Sequence, residues 1–499
     1  MVIFSLITYI TFNGRRFRRP YFLKIFFMKR NQSLDALRGF AILTMILSGC
    51  IAYGDVLPAW MFHAQVPPPD HKFIPAIPGI TWVDLVFPFF LFSMGAAIPL
   101  SLKKHIEAKK GFLFVGWFAL KRFLLLAFFA LFTEHMRAWV IADAPVATDQ
   151  LLSLLGFVLL FFQFYENKNE RLKTVFLICK IISFGIAVFL LLKLPFWGGT
   201  GFDFYKSDII IMVLANMALF STLIYYCTAG KPLLRIGILP FIMAIFLAAK
   251  EPFGGWAQDI FDFNHIGDFK FDWLYKFYFL KYLFIIIPGT IAGEWLMQEV
   301  YNDKIKDDNR DLNTKPENLL AFISIGLVVI NLIGLFTRML LVNVIATTLL
   351  CGWSVYLTKS ATSKHFYKNL VAAGTYLLLL GLFFEAYEGG IKKDSSTYSY
   401  YFVTSGLAFF SLLLFTVMAK QKFTRGITSY LALNGKNPMV AYVAGNLILL
   451  PLLTLTHVKP YWDGMNQNAL MGFLKGVVFT AIVSLITVVF VQKKWFWKT

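Results

Sequence analysis

Two histidines and one aspartate lie close together in the sequence between residues 63 and 84. His63 and His71 belong to a proline-rich loop, and Asp84 lies near the start of the apolar run that follows. Histidine is the usual acid–base group near neutral pH, and a carboxylate that accepts from one imidazole nitrogen leaves the other nitrogen as a base. The pattern predicts a loop histidine, oriented by Asp84, that acts as a base or as a nucleophile.

These residues also have purely structural interpretations. A loop histidine is often only a solvated polar residue. Thr81 and Asp84 have the spacing of a capping box, which stabilises the start of a helix. Prolines fix their own φ and restrict the preceding residue, so six of them between Pro58 and Pro78 favour a stiff loop that holds a side chain in place. Both interpretations of Asp84 stay open at this point.

Basic and amide residues in other apolar runs are candidates for binding an anionic cosubstrate. Arg38 follows Asp35 by one helical turn, and Lys121 and Arg122 lie in the third run. The planar donor fork of arginine suits phosphate. An interfacial ion pair that reaches the cytoplasmic headgroups is the alternative for Arg38, and Lys121 and Arg122 have the same two interpretations. Asn437, in an asparagine-rich late run, either lines a ligand tunnel or joins helices within lipid.

The composition predicts an all-α polytopic integral membrane protein. Of the 499 residues, 58% are hydrophobic and only 15% are charged, and the mean hydropathy is +0.65. The apolar runs reach about 20 residues, which is the length of a membrane helix and about twice that of a barrel strand. We expect about 14 spans, with 12–14 as the range. The runs are 34–53, 82–102, 113–134, 150–165, 174–194, 208–228, 233–249, 274–297, 318–336, 339–357, 366–386, 400–419, 438–456 and 469–491.

The distribution of charge predicts the orientation of the spans. The net charge of +19 arises mostly from short basic connections, as the positive-inside rule expects, and this excludes nucleic-acid binding as its explanation. Both termini are therefore predicted to be cytoplasmic, and the loop that carries His63 external. Residues 1–30 form a basic cytoplasmic segment, in which Met28 is an alternative start to Met1. Residues 31–499 form a single transmembrane domain.

Several kinds of chemistry have no motif in this sequence. The four cysteines show neither CxxC nor another metal-ligand spacing, so no metal site is predicted. Walker A, GxGxxG, HExxH and GxSxG patterns are also absent. ATP-driven transport, nicotinamide chemistry and zinc-dependent hydrolysis therefore lose support.

The most specific part of the sequence is residues 33–102. Here SLDALRGFAIL, a histidine loop and TWVDLVFPFFLFSMGAAIPLSL follow one another. This order resembles the heparan-α-glucosaminide N-acetyltransferase family and its bacterial relatives of the DUF5009 type, within a wider set of transmembrane acyltransferases. Residues 120–126 and 434–443 are similar to the family more weakly. The resemblance maps the family's loop histidine onto His63, with His71 as the rival, and Gly49 stands where the human family member has an asparagine.

The resemblance implies a membrane acyltransferase in the bacterial inner membrane. It would move an acetyl group from cytoplasmic acetyl-CoA to a sugar or glycan on the external side, with Arg38, Lys121 and Arg122 near the phosphates of the cosubstrate and Asn437 lining its tunnel. Membrane lipids are further partners, and a homodimer is an analogy from the family. The alternative function is a multi-span transporter or flippase for a polar or lipid-linked solute.

Overall fold

The computed structural model describes residues 31–167, 169–251, 255–303, 315–360 and 364–499. Gln32–Thr499 form one compact unit of packed α-helices. Within the described ranges, thirteen helices are long and apolar enough to cross a membrane. The prediction of an all-α polytopic membrane protein with 12–14 spans is thereby confirmed. The basic segment predicted at residues 1–30 lies outside the described residues.

The helices follow one another from Gln32 to Gln492, with bounds close to those of the apolar runs. They are α1 Gln32–Cys50, α2 Trp82–Glu107, α3 Phe112–His135, α4 Ala138–Ile141, α5 Ala147–Phe164, α6 Lys173–Lys193, α7 Phe196–Gly199, α8 Ile209–Cys227, α9 Pro232–Ala248, α10 Gly255–Phe261, α11 Leu283–Asp303, α12 Lys315–Phe336, α13 Leu340–Leu357, α14 Lys364–Phe383, α15 Tyr398–Lys420, α16 Arg425–Gly435, α17 Pro438–Ala444, α18 Leu450–Leu455, α19 Lys459–Asp463 and α20 Ala469–Gln492. A π-helical turn, Gly445–Leu449, joins α17 to α18.

Shorter elements lie in the connections between these helices. A two-stranded antiparallel hairpin is the one sheet in the described part of the chain, with β1 His265–Ile266 paired to β2 Phe269–Lys270. The 3₁₀ segments are Ala59–Met61, Glu170–Leu172, Phe277–Tyr282, Phe384–Gly389 and Gly464–Gln467.

The loops that connect the helices fall into two groups, and the loops within each group contact one another. One group contains the loop of residues 51–81 and defines what we call the His63 face. Its contacts join Ala52 to Gly472, Gly79 to Ile391, Arg338 to Glu385, Lys250 to Glu388, Tyr205 to Asp272 and Arg137 to Asp208. The other group defines the opposite face. Its contacts join Tyr226 to Lys110, Gln32 to Ser429, Lys498 to Glu166, Asn437 to Trp495 and Gln421 to Asn318.

Helix α9 crosses between the two faces although it is shorter than a standard span. It has 17 residues and is about 25 Å long at 1.5 Å per residue. It begins beside Thr228, on the opposite face, and the residue that follows its C-terminal end, Lys250, pairs with Glu388 on the His63 face. With α9 included, 14 helices of the described ranges pass in alternation from one face to the other, which is the number of apolar runs.

Helices α1 and α16 approach each other closely at two glycines. A Cβ atom at Gly39 would lie 1.8 Å from the carbonyl oxygen of Leu431, and a Cβ at Gly435 would lie 1.8 Å from that of Asp35. Small residues allow such backbone contact between helices within a membrane. The sequence did not predict α16, because its 11 residues are too short for a span.

A fully buried arginine joins α9 to α11. The guanidinium of Arg235 donates to Glu294 at 2.8 Å, to Thr290 at 3.0 Å and to the hydroxyl of Thr228 at 3.0 Å. It also lies 4.4 Å from the centre of the Tyr225 ring. Each of the three guanidinium nitrogens therefore has a partner, which favours the burial of this charge.

We expect Arg235→Met to destabilise the protein by about 3–5 kcal/mol, because it leaves the Glu294 carboxylate without its cationic partner. Thermal unfolding of the detergent-purified protein measures the loss. The double variant Arg235→Met/Glu294→Gln removes both charges and should recover part of it. A single variant as stable as the wild type would contradict this role for the pair.

Candidate active site

The carboxylate of Asp84 serves the start of α2 and the loop histidine at the same time. Its Oδ2 accepts from the backbone N–H of Thr81 at 2.9 Å, and the Thr81 hydroxyl accepts from Val83 N–H at 3.3 Å, which completes a capping box. Its Oδ1 lies 2.6 Å from Nδ1 of His63. Both interpretations of Asp84 therefore hold in the structure, each through a different oxygen.

The contact with Asp84 fixes the orientation and tautomer of His63. An ionised carboxylate only accepts hydrogen bonds, so in the neutral imidazole the proton lies on Nδ1, beside Asp84, and the lone pair on Nε2. The side chain of His63 is 37% exposed, whereas that of Asp84 is 2% exposed. The imidazole thus opens toward the His63 face while the group that orients it is buried.

Lys393 is the third charged group at this site, and the sequence analysis missed it. Its ammonium nitrogen lies 3.2 Å from Nε2 and 3.3 Å from Nδ1 of His63. The loop that carries it, between α14 and α15, is joined to the histidine loop through Gln65, whose Oε1 accepts from Asp394 N–H at 2.9 Å. One signal was available: Lys392 and Lys393 form a basic pair in a segment predicted to be external, which the positive-inside rule disfavours.

A buried tyrosine of α15 holds the start of α2 in place. The hydroxyl of Tyr400 donates to the backbone carbonyl of Asp84 at 2.8 Å, and the Tyr400 side chain has no solvent exposure. Thr81 adds a second link, since its hydroxyl donates to the carbonyl of Phe62 at 2.6 Å. These bonds restrict the position of Asp84 and, through it, that of His63.

His71 occupies a different environment in the same loop. Its Nε2 accepts from Gly54 N–H at 2.9 Å, and its Nδ1 lies 3.3 Å from the carbonyl of Val66. The rings of Phe62 and Tyr53 lie edge-on to it, with centroid distances of 4.4 and 4.9 Å. Backbone groups of the loop contact both ring nitrogens of His71, so this residue holds two parts of the loop together. The geometry therefore favours His63 as the reactive histidine.

The residues predicted to bind the cosubstrate have separate surroundings. Arg38 lies between α1, α2 and α16, where it donates to the carbonyls of Ser93 at 3.1 Å and Gly435 at 3.4 Å and pairs with Asp35 at 3.4 Å. Its side chain is only 12% exposed, so it contributes to helix packing rather than reaching lipid headgroups.

Lys121 and Arg122 lie on different sides of α3. Lys121 is exposed, and its charged neighbours are Lys180 and Glu166. Arg122 faces inward near the ring of Phe118, and its Nε is buried without a hydrogen-bond partner among the described residues. An unsatisfied buried donor of this kind is costly, and an anionic ligand would satisfy it.

Asn437 binds the C-terminal segment of the chain. Its amide donates to the carbonyl of Trp495 at 2.9 Å and accepts from Trp497 N–H at 3.2 Å. Lys498, in the same segment, donates to Glu166 at 2.7 Å, and this hydrogen bond holds the pKa of Glu166 below its ordinary value. In this structure Asn437 therefore anchors the C-terminal segment, and contact with a cosubstrate would require that segment to move.

A family model described as a domain of unknown function (DUF5009) matches residues 30–296. The chain belongs to this family. The matched range holds both loop histidines, Asp84 and the basic residues of α1 and α3, whereas Lys393 and Asn437 lie beyond it. No curated protein matches the chain. The DUF5009 part of the resemblance is confirmed.

Proposed function

We propose that this protein is a membrane acyltransferase, similar to the heparan-α-glucosaminide N-acetyltransferases, that transfers an acetyl group from acetyl-CoA to a sugar or glycan. The observation that carries the proposal is the buried Asp84 carboxylate, which orients a half-exposed His63 against whose ring the ammonium of Lys393 lies. A carboxylate, an imidazole and a cation in this order form an arrangement suited to acyl transfer.

In the proposed reaction, His63 moves one proton. The acceptor amine or hydroxyl attacks the thioester carbonyl carbon and forms a C–N or C–O bond, while His63 Nε2 takes the proton that the nucleophile loses. The C–S bond then breaks, its electron pair goes to the sulfur of CoA, and His63 returns the proton to that thiolate. Asp84 stabilises the imidazolium that forms between these two steps.

The same nitrogen of His63 could instead attack the thioester itself. An acetyl-histidine would then carry the group to the acceptor, again with release of CoA. The two paths differ in one observable, because only the second leaves labelled acetyl on the protein when no acceptor is present.

Lys393 is proposed to stabilise the negative charge that develops on the carbonyl oxygen. In the structure its ammonium lies against the ring of His63, on a half-buried flexible side chain. Substrate would displace it from Nε2 by a short movement toward the thioester oxygen. A fixed positive charge at that oxygen lowers the energy of the tetrahedral intermediate.

Arg122 supports a site for acetyl-CoA on the opposite face. The residue lies ten positions after the start of α3, about 15 Å from that end of the helix, and its unpartnered Nε is a ready donor to a phosphate oxygen. With the opposite face cytoplasmic, the 13 residues from Arg122 to the end of α3 at His135, about 20 Å of helix, separate a phosphate at Arg122 from the His63 face. The pantetheine arm would extend between the helices toward His63, and the protein would lie in a bacterial inner membrane.

The proposal is tested with the detergent-purified protein and acetyl-CoA labelled in its acetyl group. We expect release of CoA that depends on glucosamine or another sugar acceptor, with the label recovered on the sugar. Absence of both CoA binding and label transfer across several amino and neutral sugars would overturn the proposal.

Transport is the second candidate, and one structural observation favours it. The late span Pro438–Leu455 contains the π-helical turn Gly445–Leu449, and irregular turns of this kind inside helices often lie at functional sites. Uptake of a sugar or lipid-linked solute into vesicles without acyl-CoA would favour transport. Modification that requires acyl-CoA would favour the enzyme.

We expect Lys393→Met to lower kcat about 10²-fold with little effect on stability, because the variant loses the charge near the developing oxyanion. Lys393→Arg should keep part of the activity. The matched control is Lys72→Met, which removes an exposed lysine of the histidine loop whose contact is with Asp70. Equal kcat values for Lys393→Met and the wild type would remove Lys393 from the mechanism.

A further inference from the structure

A cavity with polar and aromatic walls opens on the His63 face, beside the segment that carries Lys393. Its volume is about 410 Å³, which falls within the range of small-molecule sites. Its walls come from the C-terminal end of α9, from α10, from the 3₁₀ segment Phe277–Tyr282 and from residues 388–397. None of the residues assigned so far to acyl transfer lines it.

The floor of this cavity holds a buried lysine. Lys281 is 3% exposed, and its ammonium donates to the carbonyl of Ser396 at 2.9 Å. The rings of Phe246, Tyr398 and Tyr278 surround the ammonium at 5.0, 5.1 and 5.5 Å. Such rings stabilise a cation that has left water, and they leave its remaining donors available to a ligand.

The side chains that line the cavity carry more positive than negative charge. Three lysines and one glutamate line the cavity, which leaves a net charge of +2. Among the described residues, the ion pair of the lining joins Lys250 to Glu388 at 3.0 Å, and so the excess charge lies on Lys281 and Lys392. A phosphate monoester carries about −1.5 to −2 charges at neutral pH and matches this excess.

The donors of the lining suit phosphate better than carboxylate. A carboxylate is bound best by the planar fork of arginine, and no arginine lines the cavity. Lysine ammonium groups and hydroxyls are instead separate point donors, which a tetrahedral anion with several oxygens can engage together. The hydroxyls of Tyr278 and Ser396 lie 2.7 Å apart in a bonded pair, which makes this wall rigid.

Aromatic and polar walls together favour a sugar attached to the phosphate. Phe246 and Phe261 pack edge to face with their centres 5.4 Å apart and offer an apolar surface beside the hydroxyl groups. Polyhydroxylated rings have both kinds of surface. The lining therefore fits a phosphorylated sugar better than inorganic phosphate alone.

The cavity and His63 share one chain segment. Lys392 lines the cavity, and the next residue, Lys393, contacts His63. We propose that this cavity binds a phosphate-bearing sugar and anchors the acceptor beside His63. The anchoring role rests on the acyltransferase function proposed above, whereas the binding of a sugar phosphate does not.

The test measures binding by isothermal titration calorimetry with the full-length protein in detergent. The probes are glucosamine 1-phosphate, glucosamine and inorganic phosphate. We expect glucosamine 1-phosphate to bind at least about tenfold more tightly than either other probe, and Lys281→Met to weaken its binding by about tenfold or more. Lys392→Gln changes a partly exposed residue and should weaken binding as well, which keeps the test valid if Lys281→Met does not fold.

The matched control is Lys276→Met, because Lys276 is exposed, lies five residues before Lys281 and does not line the cavity.

A polyprenyl-phosphate-linked glucosamine in the micelle distinguishes a lipid-linked ligand from a soluble one. Binding at least tenfold tighter than that of the soluble probe indicates a lipid-linked sugar, and equal binding indicates a soluble one.

Either of two results would overturn the inference. Glucosamine 1-phosphate would bind no better than glucosamine, or both cavity variants would bind it with wild-type affinity.

The acyl-transfer assay separates the binding site from the proposed enzyme activity. Cavity-dependent binding without label transfer leaves the site intact and rejects the enzyme. Label transfer whose KM for the acceptor is unchanged in both variants keeps the enzyme and rejects the anchoring role of the cavity.

Discussion

A His63→Gln variant is expected to insert and fold like the wild type and to transfer acetyl groups about 10²–10⁴-fold more slowly. The glutamine amide can still donate to the Asp84 carboxylate, which the wild-type Nδ1 contacts at 2.6 Å. It has no lone pair that accepts a proton at neutral pH. The chemical step should therefore fail while the loop keeps its structure.

The measurement is kcat for transfer of labelled acetyl to the sugar acceptor, together with the thermal unfolding temperature of each variant. His265→Gln is the matched control, because His265 lies in the exposed hairpin, far in sequence from the candidate site, and its ring contacts the neighbouring Asn264. Unchanged kcat in His63→Gln would remove His63 from the reaction. Selective loss of transfer in His71→Gln, at normal stability, would move the catalytic assignment to His71.

A Gly39→Ala variant is expected to lose about 3 kcal/mol of stability or more. The added methyl group would lie 1.8 Å from the carbonyl oxygen of Leu431, and this neighbour is backbone, which cannot rotate away. Overpacking a core usually costs about 1–3 kcal/mol, and a clash between two helix backbones belongs at the upper end of that range. Helices α1 and α16 would have to separate.

Gly49 provides a control on the same helix. A Cβ atom there meets nothing within 4 Å, so Gly49→Ala removes only the conformational freedom of glycine and should be close to neutral. Thermal unfolding of the two variants, purified in the same detergent, gives the comparison. Similar unfolding temperatures would contradict the close contact between α1 and α16.

The contact at Gly39 also concerns the candidate cosubstrate residue Arg38. Arg38 donates to the carbonyl of Gly435, at the point where the two helices meet. A separation of α1 from α16 would therefore also change the position of the Arg38 guanidinium. We expect Gly39→Ala to affect stability first, and a change in activity only through the displacement of Arg38.

The sequence by itself determined the spans and one local interaction at the site. Runs of apolar residues about 20 long cross a bilayer as helices whatever their neighbours are, so the apolar runs and the helices agree closely in their bounds. Thr81 and Asp84 form the predicted capping box because its bonds join residues only two or three apart. Helix α16 was missed, because it is short and is stabilised by its contact with α1 rather than by its own pattern.

Only the tertiary structure decided which histidine is available for chemistry. Both histidines lie in the same proline-rich loop, and no local pattern distinguishes their roles. The difference lies in packing: the rings of Tyr53 and Phe62 and two backbone groups enclose His71, while His63 turns toward Asp84. The sequence therefore kept both candidates.

The contact between Lys393 and His63 was likewise determined by the tertiary structure alone. Lys393 lies 330 residues from His63 in the chain and reaches the imidazole because the loop between α14 and α15 is bonded to the histidine loop at Gln65. Periodicity and capping patterns record interactions within a few residues. A contact between distant loops depends on how fourteen helices pack together, and no local pattern contains that information.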